Sequence, residues 1–202
     1  MTGISRPTRQ PDSHAVLLKR VSVVGTTGSG KTTFARELAR RLGVTHVELD
    51  ALAWGPNWTL VPVEVFKERV ARAVEGEAWV VDGNYGGRGA QGLVLPHADT
   101  VIWLDPPLTV VFARLFLRAL RRIRSGEELW AGTGNRETFR NQFLSRDTLF
   151  WWAIKTHHRR RRELPQVLAR PEYAHLVVHR FRRDVDAMAW LSSVRGPATA
   201  GS

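Results

Sequence analysis

Lys19-Arg-Val-Ser-Val-Val-Gly25-Thr-Thr-Gly-Ser-Gly30-Lys31-Thr32-Thr33 reads as a short apolar strand, a glycine-rich turn and the start of a helix. Gly25, Thr26, Thr27, Gly28, Ser29, Gly30, Lys31 and Thr32 fit the pattern G-x-x-x-x-G-K-[ST] of a phosphate-binding loop. Such a loop wraps backbone N–H groups around phosphate oxygens. Its lysine reaches the terminal phosphates, and its threonine hydroxyl is a ligand for Mg²⁺. The helix that follows aims the positive end of its dipole at the same anion. Phe34, Ala35, Leu38, Ala39 and Leu42 recur at helical spacing, and Gly43 is a natural stop. ATP contacts are therefore expected from Gly25 through Thr33. An ordinary glycine turn does not account for the strand and helix on either side. A dinucleotide-binding turn is imitated by Gly28-x-Gly30 and the later Asp50. That reading wants Gly or Ala at Thr33 and gives Lys31 no task.

The chain has 202 residues, enough for one domain with a sizeable core. The sequence predicts a polar tail over 1–18, a folded unit over 19–194 and a second tail over 195–202. Cysteine is absent, which excludes disulfides and thiolate metal sites. The only i, i+4 histidine pair, His175 and His179, falls in an expected strand, so any metal should arrive with the nucleotide. No apolar run approaches the ~18 residues of a membrane span. No signal-peptide core is visible either, and the expected location is cytoplasmic. Lys and Arg total 30 against 19 Asp and Glu, a net charge of +11. That excess suits a protein handling polyanions, and equally a solvated arginine-rich surface.

Three expected strands end in a carboxylate. In an open parallel sheet, ligands sit at the carboxyl ends of the strands. His46–Asp50 places Asp50 on the rim of the loop, to position or deprotonate an acceptor hydroxyl or to cap the next segment. Trp54 and Trp58 flank a turn and serve either to stack on a ring or to anchor the loop. Helical spacing runs from Val61 to Val74, with Pro62 in the first turn. The strand Ala78–Asp82 puts Asp82 beside the loop as a Mg²⁺ ligand, with a turn-forming Asp-Gly pair as the other reading. Asn84, Tyr85 and Arg88 then face the acceptor. Asp105, after the strand Asp99–Asp105, reads as a helix cap ahead of a catalytic group.

The helix from Leu108 to Arg124 aligns Arg114, Arg118, Arg121 and Arg122. These form either a solvated basic face or a phosphate clamp of Arg118 with Arg121 or Arg122. The second is favoured because 121–137 has the glycine hinges of a lid, which would exclude water and bring arginines, Arg136 among them, onto the transferring group. A long helix is expected over Glu137–Leu164, a short one between Pro165 and Pro171, a fifth strand over His175–His179 and a last helix over Arg183–Leu191. Arg159–Arg162 is either a nucleic-acid footprint or a solvated helix end.

This order of elements resembles the nucleoside-monophosphate-kinase branch of P-loop proteins, which includes adenylate, shikimate and gluconate kinases. Asp82-Gly83 is followed by Asn84-Tyr85 where adenylate kinase has Phe-Pro-Arg, so Arg88 would have to replace its acceptor arginine. Leu49-Asp-Ala-Leu-Ala-Trp54, Trp58, Trp79-Val-Val-Asp-Gly-Asn-Tyr85 and Ile102-Trp-Leu-Asp-Pro106 are similar to the bacterial adenylate-kinase-like group called topology modulation protein, or FlaR-like. The resemblance implies an α/β three-layer fold with a five-stranded parallel sheet, order 2-3-1-4-5. It also implies ATP binding with Mg²⁺. The expected activity is γ-phosphate transfer to a small acceptor, a nucleoside monophosphate or a hydroxyl metabolite. Lys31, Asp50, Arg118 and Arg122 form the expected catalytic set, with Thr32 and Asp82 on the metal and Asp50, Trp54, Asn84, Tyr85 and Arg88 on the acceptor. The rival is a nucleotide-gated nucleic-acid binder using Arg159–Arg162.

Overall fold

Alternation along the central strands decides the layers. In a computed structural model, which describes residues 18–125, 128–129, 133–136 and 149–195, strand β1 (Arg20–Gly25) lies in the middle of a parallel sheet. Val21 and Val23 point to one face, where they pack with Phe34, Leu38 and Leu42 of α1 (Lys31–Leu42) and Leu191 of α7 (Asp184–Ser193). Val24 points to the other face, with Trp103 and Leu164. Buried on both sides, β1 has little place for charge, which is why it reads as a near-continuous apolar run.

The sheet order is β2-β3-β1-β4-β7, built from β2 (Thr45–Glu48), β3 (Trp79–Asp82), β4 (Thr100–Leu104) and β7 (Val177–Phe181). With β7 as the fifth strand, this is the expected 2-3-1-4-5 arrangement. The register sets Val23 opposite Asp82 and Gly25 opposite Leu104, so the loop after β1 emerges between the ends of β3 and β4. The helices α2 (Leu49–Ala53), α3 (Val63–Val74) and α4 (Ala90–Val94) cover the β2–β3 side through Leu49, Phe66, Val70 and Val94. No described helix is long and apolar enough to cross a membrane.

Several boundaries differ from expectation. Strand β2 stops at Glu48, opposite Asp82, and Asp50 sits in α2. The chain turns at Leu49 because that side chain, 2% exposed, enters the core. Helix α3 begins at Val63, since Pro62 precedes it in an extended conformation. The short α4 carries no long apolar period, and it fills the place between β3 and β4 where the resembling family has a helix. Helix α5 (Leu108–Ser125) matches its pattern, while α6 (Leu149–Leu168) runs through Pro165 and joins the two helices expected there into one. Pro165 is exposed and Leu164 beside it is buried, so packing of that turn outweighs the one missing N–H. Strand β7 begins two residues late, at Val177, which pairs with Thr100. Within the expected lid, β5 (Glu128–Leu129) pairs antiparallel with β6 (Asn135–Arg136). The rest of the lid beyond α5, residues 137–148 of the expected long helix and most of both expected tails lie outside the described residues.

Candidate active site

The glycine loop closes on itself before any ligand is considered. Gly28 has φ +79°, and a Cβ there would sit 2.8 Å from Leu115 of α5. Ser29 N–H donates to the Thr26 carbonyl at 2.9 Å. At Gly25 a Cβ would meet the Leu104 carbonyl at 2.6 Å, so β1 and β4 approach too closely there for a side chain. The first turn of α1 follows Gly30 with no side chain capping it, leaving its N–H groups for an anion. Lys31 is 9% exposed, and the Ser29 hydroxyl is buried with no hydrogen-bond partner. A buried cation beside a buried, unpartnered hydroxyl on a cradle of amides is chemistry arranged for phosphate oxygens. Thr27 and Thr32 are half-buried and Thr33 is exposed.

Asn84 grips this loop from β3. Its Nδ2 donates to the Gly25 carbonyl at 2.8 Å, and its Oδ1 accepts from Gly25 N–H at 3.3 Å. Arg160 of α6 donates to the same carbonyl at 3.2 Å, and burial pushes its guanidinium down to about 10. His157 Nδ1 lies 3.4 Å from the Thr26 hydroxyl. Arg114 donates to the Ser29 carbonyl at 3.0 Å and pairs with Asp184. The loop is therefore held from three directions, by β3, α5 and α6.

Asp82 is fully buried. Its Oδ2 lies 3.1 Å from His46 Nε2, and its Oδ1 has no partner. No described cluster of three His, Asp or Glu residues is present to hold a metal alone. Mg²⁺ bound through one carboxylate, one hydroxyl, waters and phosphate oxygens needs none. The orphaned Oδ1 at the end of the strand next to β1 therefore fits that ion, with Thr32 as the hydroxyl.

Asp50 anchors a second cluster, beyond β3. The Tyr85 hydroxyl donates to its Oδ1 at 2.6 Å. Burial first, then the Asp50 charge, raises the Tyr85 phenol, so it stays a donor. Trp54 also hydrogen-bonds to Tyr85. The Tyr85 ring lies 5.1 Å from Phe66, with its backbone at φ +29°, a conformation an L residue rarely adopts. Arg88 stacks its guanidinium 5.3 Å over Phe66 and donates to the Val61 carbonyl. Trp58 packs edge-on to Trp54 at 5.8 Å, so the two rings hold each other across the turn.

The expected site residues thus separate into two groups. Gly25–Thr33, Asp82 and Asn84 gather at the loop, and Asp50, Trp54, Tyr85 and Arg88 gather at the aromatic cluster. Arg118 is a half-buried residue of α5. The side chains of Arg122 and Arg136 lie outside the described residues. Sequence reasoning set Arg114 aside in favour of Arg118, and it missed Arg160 and His157. Helical period alone puts Arg114 and Arg118 on one face, and only the crossing of α5 over the loop shows that Arg114 touches it. Asp105 lies three residues before Leu108, the first residue of α5, and so is not at the cap position. It is 3% exposed and accepts from Arg161 at 2.7 Å and Arg180 at 2.5 Å. The run Arg159–Arg162 divides, because Arg160 and Arg161 turn inward while Arg159 pairs with Glu163 at 3.5 Å.

No family model matches the chain. A shikimate kinase of Ruegeria pomeroyi is 32% identical over 115 residues, 50% of this chain and 58% of the relative. One of Persephonella marina is 31% identical over 111 residues, 48% of this chain and 67% of the relative. The chain therefore spans about three fifths to two thirds of the length of these curated relatives. Shikimate kinase from Acinetobacter baumannii, solved in complex with shikimate, superposes with a TM-score of 0.51 at 16% identity, covering 87% of this chain and 92% of that one. That last likeness concerns the fold.

Proposed function

The chain belongs to the shikimate-kinase-like family of P-loop kinases, and on that premise we propose that it moves the γ-phosphate of Mg-ATP to the hydroxyl of a small acceptor. The observation that carries this reading is the pair of buried, unpartnered oxygens at the loop, Ser29 Oγ and Asp82 Oδ1. Polar atoms buried without partners cost free energy, and a nucleotide with its metal would satisfy both.

Lys31 and the loop amides hold the phosphates. Thr32 and Asp82 hold Mg²⁺, which when bound neutralises charge on the β- and γ-phosphates. Asp50 accepts the acceptor's proton through Oδ2, because Tyr85 occupies Oδ1 and fixes the carboxylate. Trp54 and Arg88 shape the acceptor side. Arg118 and Arg122 of α5, with the lid, neutralise charge on the transferring group. Asn84 is assigned to holding Gly25 in place of the acceptor.

The acceptor is a hydroxylated metabolite ahead of a nucleoside monophosphate. Two facts favour it: the curated relatives are named shikimate kinases, and Arg88 is already committed to Val61 and Phe66. The topology-modulation-protein likeness is the finer placement we propose, resting on Asp82-Gly-Asn-Tyr85 and Leu49-Asp-Ala-Leu-Ala-Trp54. ATP-dependent work of this kind suits the cytoplasm. Nucleic-acid binding is the weaker reading, since two of the four arginines in the run point into the molecule.

The test is transfer of labelled γ-phosphate across a panel of hydroxyl metabolites and nucleotides, with Lys31→Ala and Asp50→Asn as controls. One acceptor should be labelled, and both substitutions should abolish labelling. ATP consumption independent of every acceptor would defeat the proposal. So would finding no transfer alongside steeply salt-dependent DNA binding that substitution of Arg159 and Arg162 flattens.

A further inference from the structure

On the flank of the sheet opposite Asp50, the loop after β4, the middle of α6 and the turn after β7 border an open pocket of about 400 Å³. Its walls include Asp105, Leu108, His157, His158, Arg161 and Arg182. The charge around it does not balance. Asp105 is the one carboxylate lining it among the described residues, and three guanidiniums approach that group: Arg161 at 2.7 Å, Arg180 at 2.5 Å and Arg182 at 4.0 Å. The two short pairs use both carboxylate oxygens. Arg182 stays at the limit of ion-pair distance with 69% of its side chain exposed. The nearby acids are committed elsewhere, Asp184 to Arg114 and Asp186 to Arg183. Among the described residues, the two guanidiniums that line the site, Arg161 and Arg182, exceed its carboxylate, Asp105, which Arg180 also engages from outside the lining, and a concave wall strengthens attraction for an anion.

We propose that this cavity is a second anion site, separate from the P-loop cradle, that takes a small phosphate-bearing molecule through Arg182, Arg161 and His158. A guanidinium fork matches two phosphate oxygens, and the exposed His158 adds a ring N–H donor. The volume falls in the ordinary range for small-molecule pockets and exceeds the need of a bare ion. Leu108, with Pro107 beside it, supplies an apolar wall for the carbon skeleton of a phosphoester. The site also touches the nucleotide loop. His157 shares the cavity wall with His158 and meets Thr26, and Arg160, beside Arg161, holds the Gly25 carbonyl. An occupant would therefore touch His157, whose ring also meets the phosphate loop at Thr26.

The experiment uses the full chain with histidine side chains isotopically labelled, titrated with inorganic pyrophosphate and followed by the His158 ring resonances and by calorimetry. Two classes of binding are expected. Lys31→Ala should remove the P-loop class and leave a saturable His158 shift. Arg182→Ala should weaken the His158-reported class at least tenfold and leave the Lys31-dependent class intact. His158→Ala should do the same by calorimetry, and both residues are exposed enough for the variants to fold. Three results overturn the proposal. One is a single class of binding lost in Lys31→Ala. Another is a His158 resonance that pyrophosphate does not move. The third is displacement of the probe from His158 by Mg-ATP, which would make the cavity part of the nucleotide site.

Discussion

Replacing Asn84 with alanine should loosen the phosphate loop and leave acceptor recognition largely alone. Asn84 makes two bonds to Gly25, which is buried, and alanine makes neither. The Gly25 carbonyl loses its 2.8 Å partner but keeps Arg160 at 3.2 Å, so about 1 kcal/mol is lost there. Gly25 N–H loses a long bond of 3.3 Å and is stranded in the interior, a cost of about 1–2 kcal/mol. The sum, about 2–3 kcal/mol, should lower the urea midpoint by about 1 M at an m-value of about 2 kcal/mol per M. The same bonds set the path of the first loop residue. The ATP dissociation constant should therefore rise, by about thirty-fold at most if some 2 kcal/mol falls on the bound state. The assays are urea unfolding followed by calorimetric ATP titration, then KM for the acceptor at saturating ATP. Unchanged ATP affinity with a raised acceptor KM would refute the reasoning and return Asn84 to the acceptor side, where the sequence pattern had placed it.

Tyr85→Phe should lower kcat/KM for the acceptor about ten- to 150-fold with ATP affinity unchanged. A hydrogen bond to a charged carboxylate contributes about 1.5–3 kcal/mol, and steady-state kinetics with both substrates varied separates the two effects. Gly28→Ala should destabilise by about 2–4 kcal/mol, since it combines φ +79° with a 2.8 Å approach to Leu115. A thermal midpoint within a degree of wild type would contradict that. Mg-ATP at a hundred times its dissociation constant should stabilise the wild type by about 2.7 kcal/mol and Lys31→Ala hardly at all, measured as a shift in melting temperature. Burial pulls His179 below its ordinary value of 6.5, among Phe181 and Trp190. The folded state then binds fewer protons than the unfolded one. Its contribution is complete above pH 6.5 and fades as pH falls through the lowered value. His179→Phe should flatten the acid side of a stability–pH curve, and an unchanged slope would show that another group sets it.

Gly25–Thr32, the alternation Val21/Val23 against Val24, and the apolar period of α1 are local features, since each states its geometry within one or two turns or strands. A glycine-rich turn between a buried strand and a helix leaves the chain few alternatives, so the sequence by itself determined the phosphate loop and its flanking strand and helix, while the order of the sheet was implied only by the resemblance to a known family. It also marked Asp50, Asp82 and Tyr85 as polar residues near strand ends. Contacts across the fold are another matter. Asn84 reaches Gly25 over 59 residues, Arg160 reaches it over 135, and His157 meets Thr26 over 131. None of these pairs has a spacing or period that a linear reading detects. Whether Asp105 caps a helix or gathers arginines depends on where β7 and α6 bring Arg180 and Arg161, and that follows from sheet register and helix packing. The same holds for Arg159–Arg162. As a run of like charges it suggested a surface. Helical rotation of about 100° per residue sends Arg160 and Arg161 inward, and only the packed position of α6 says which way inward is.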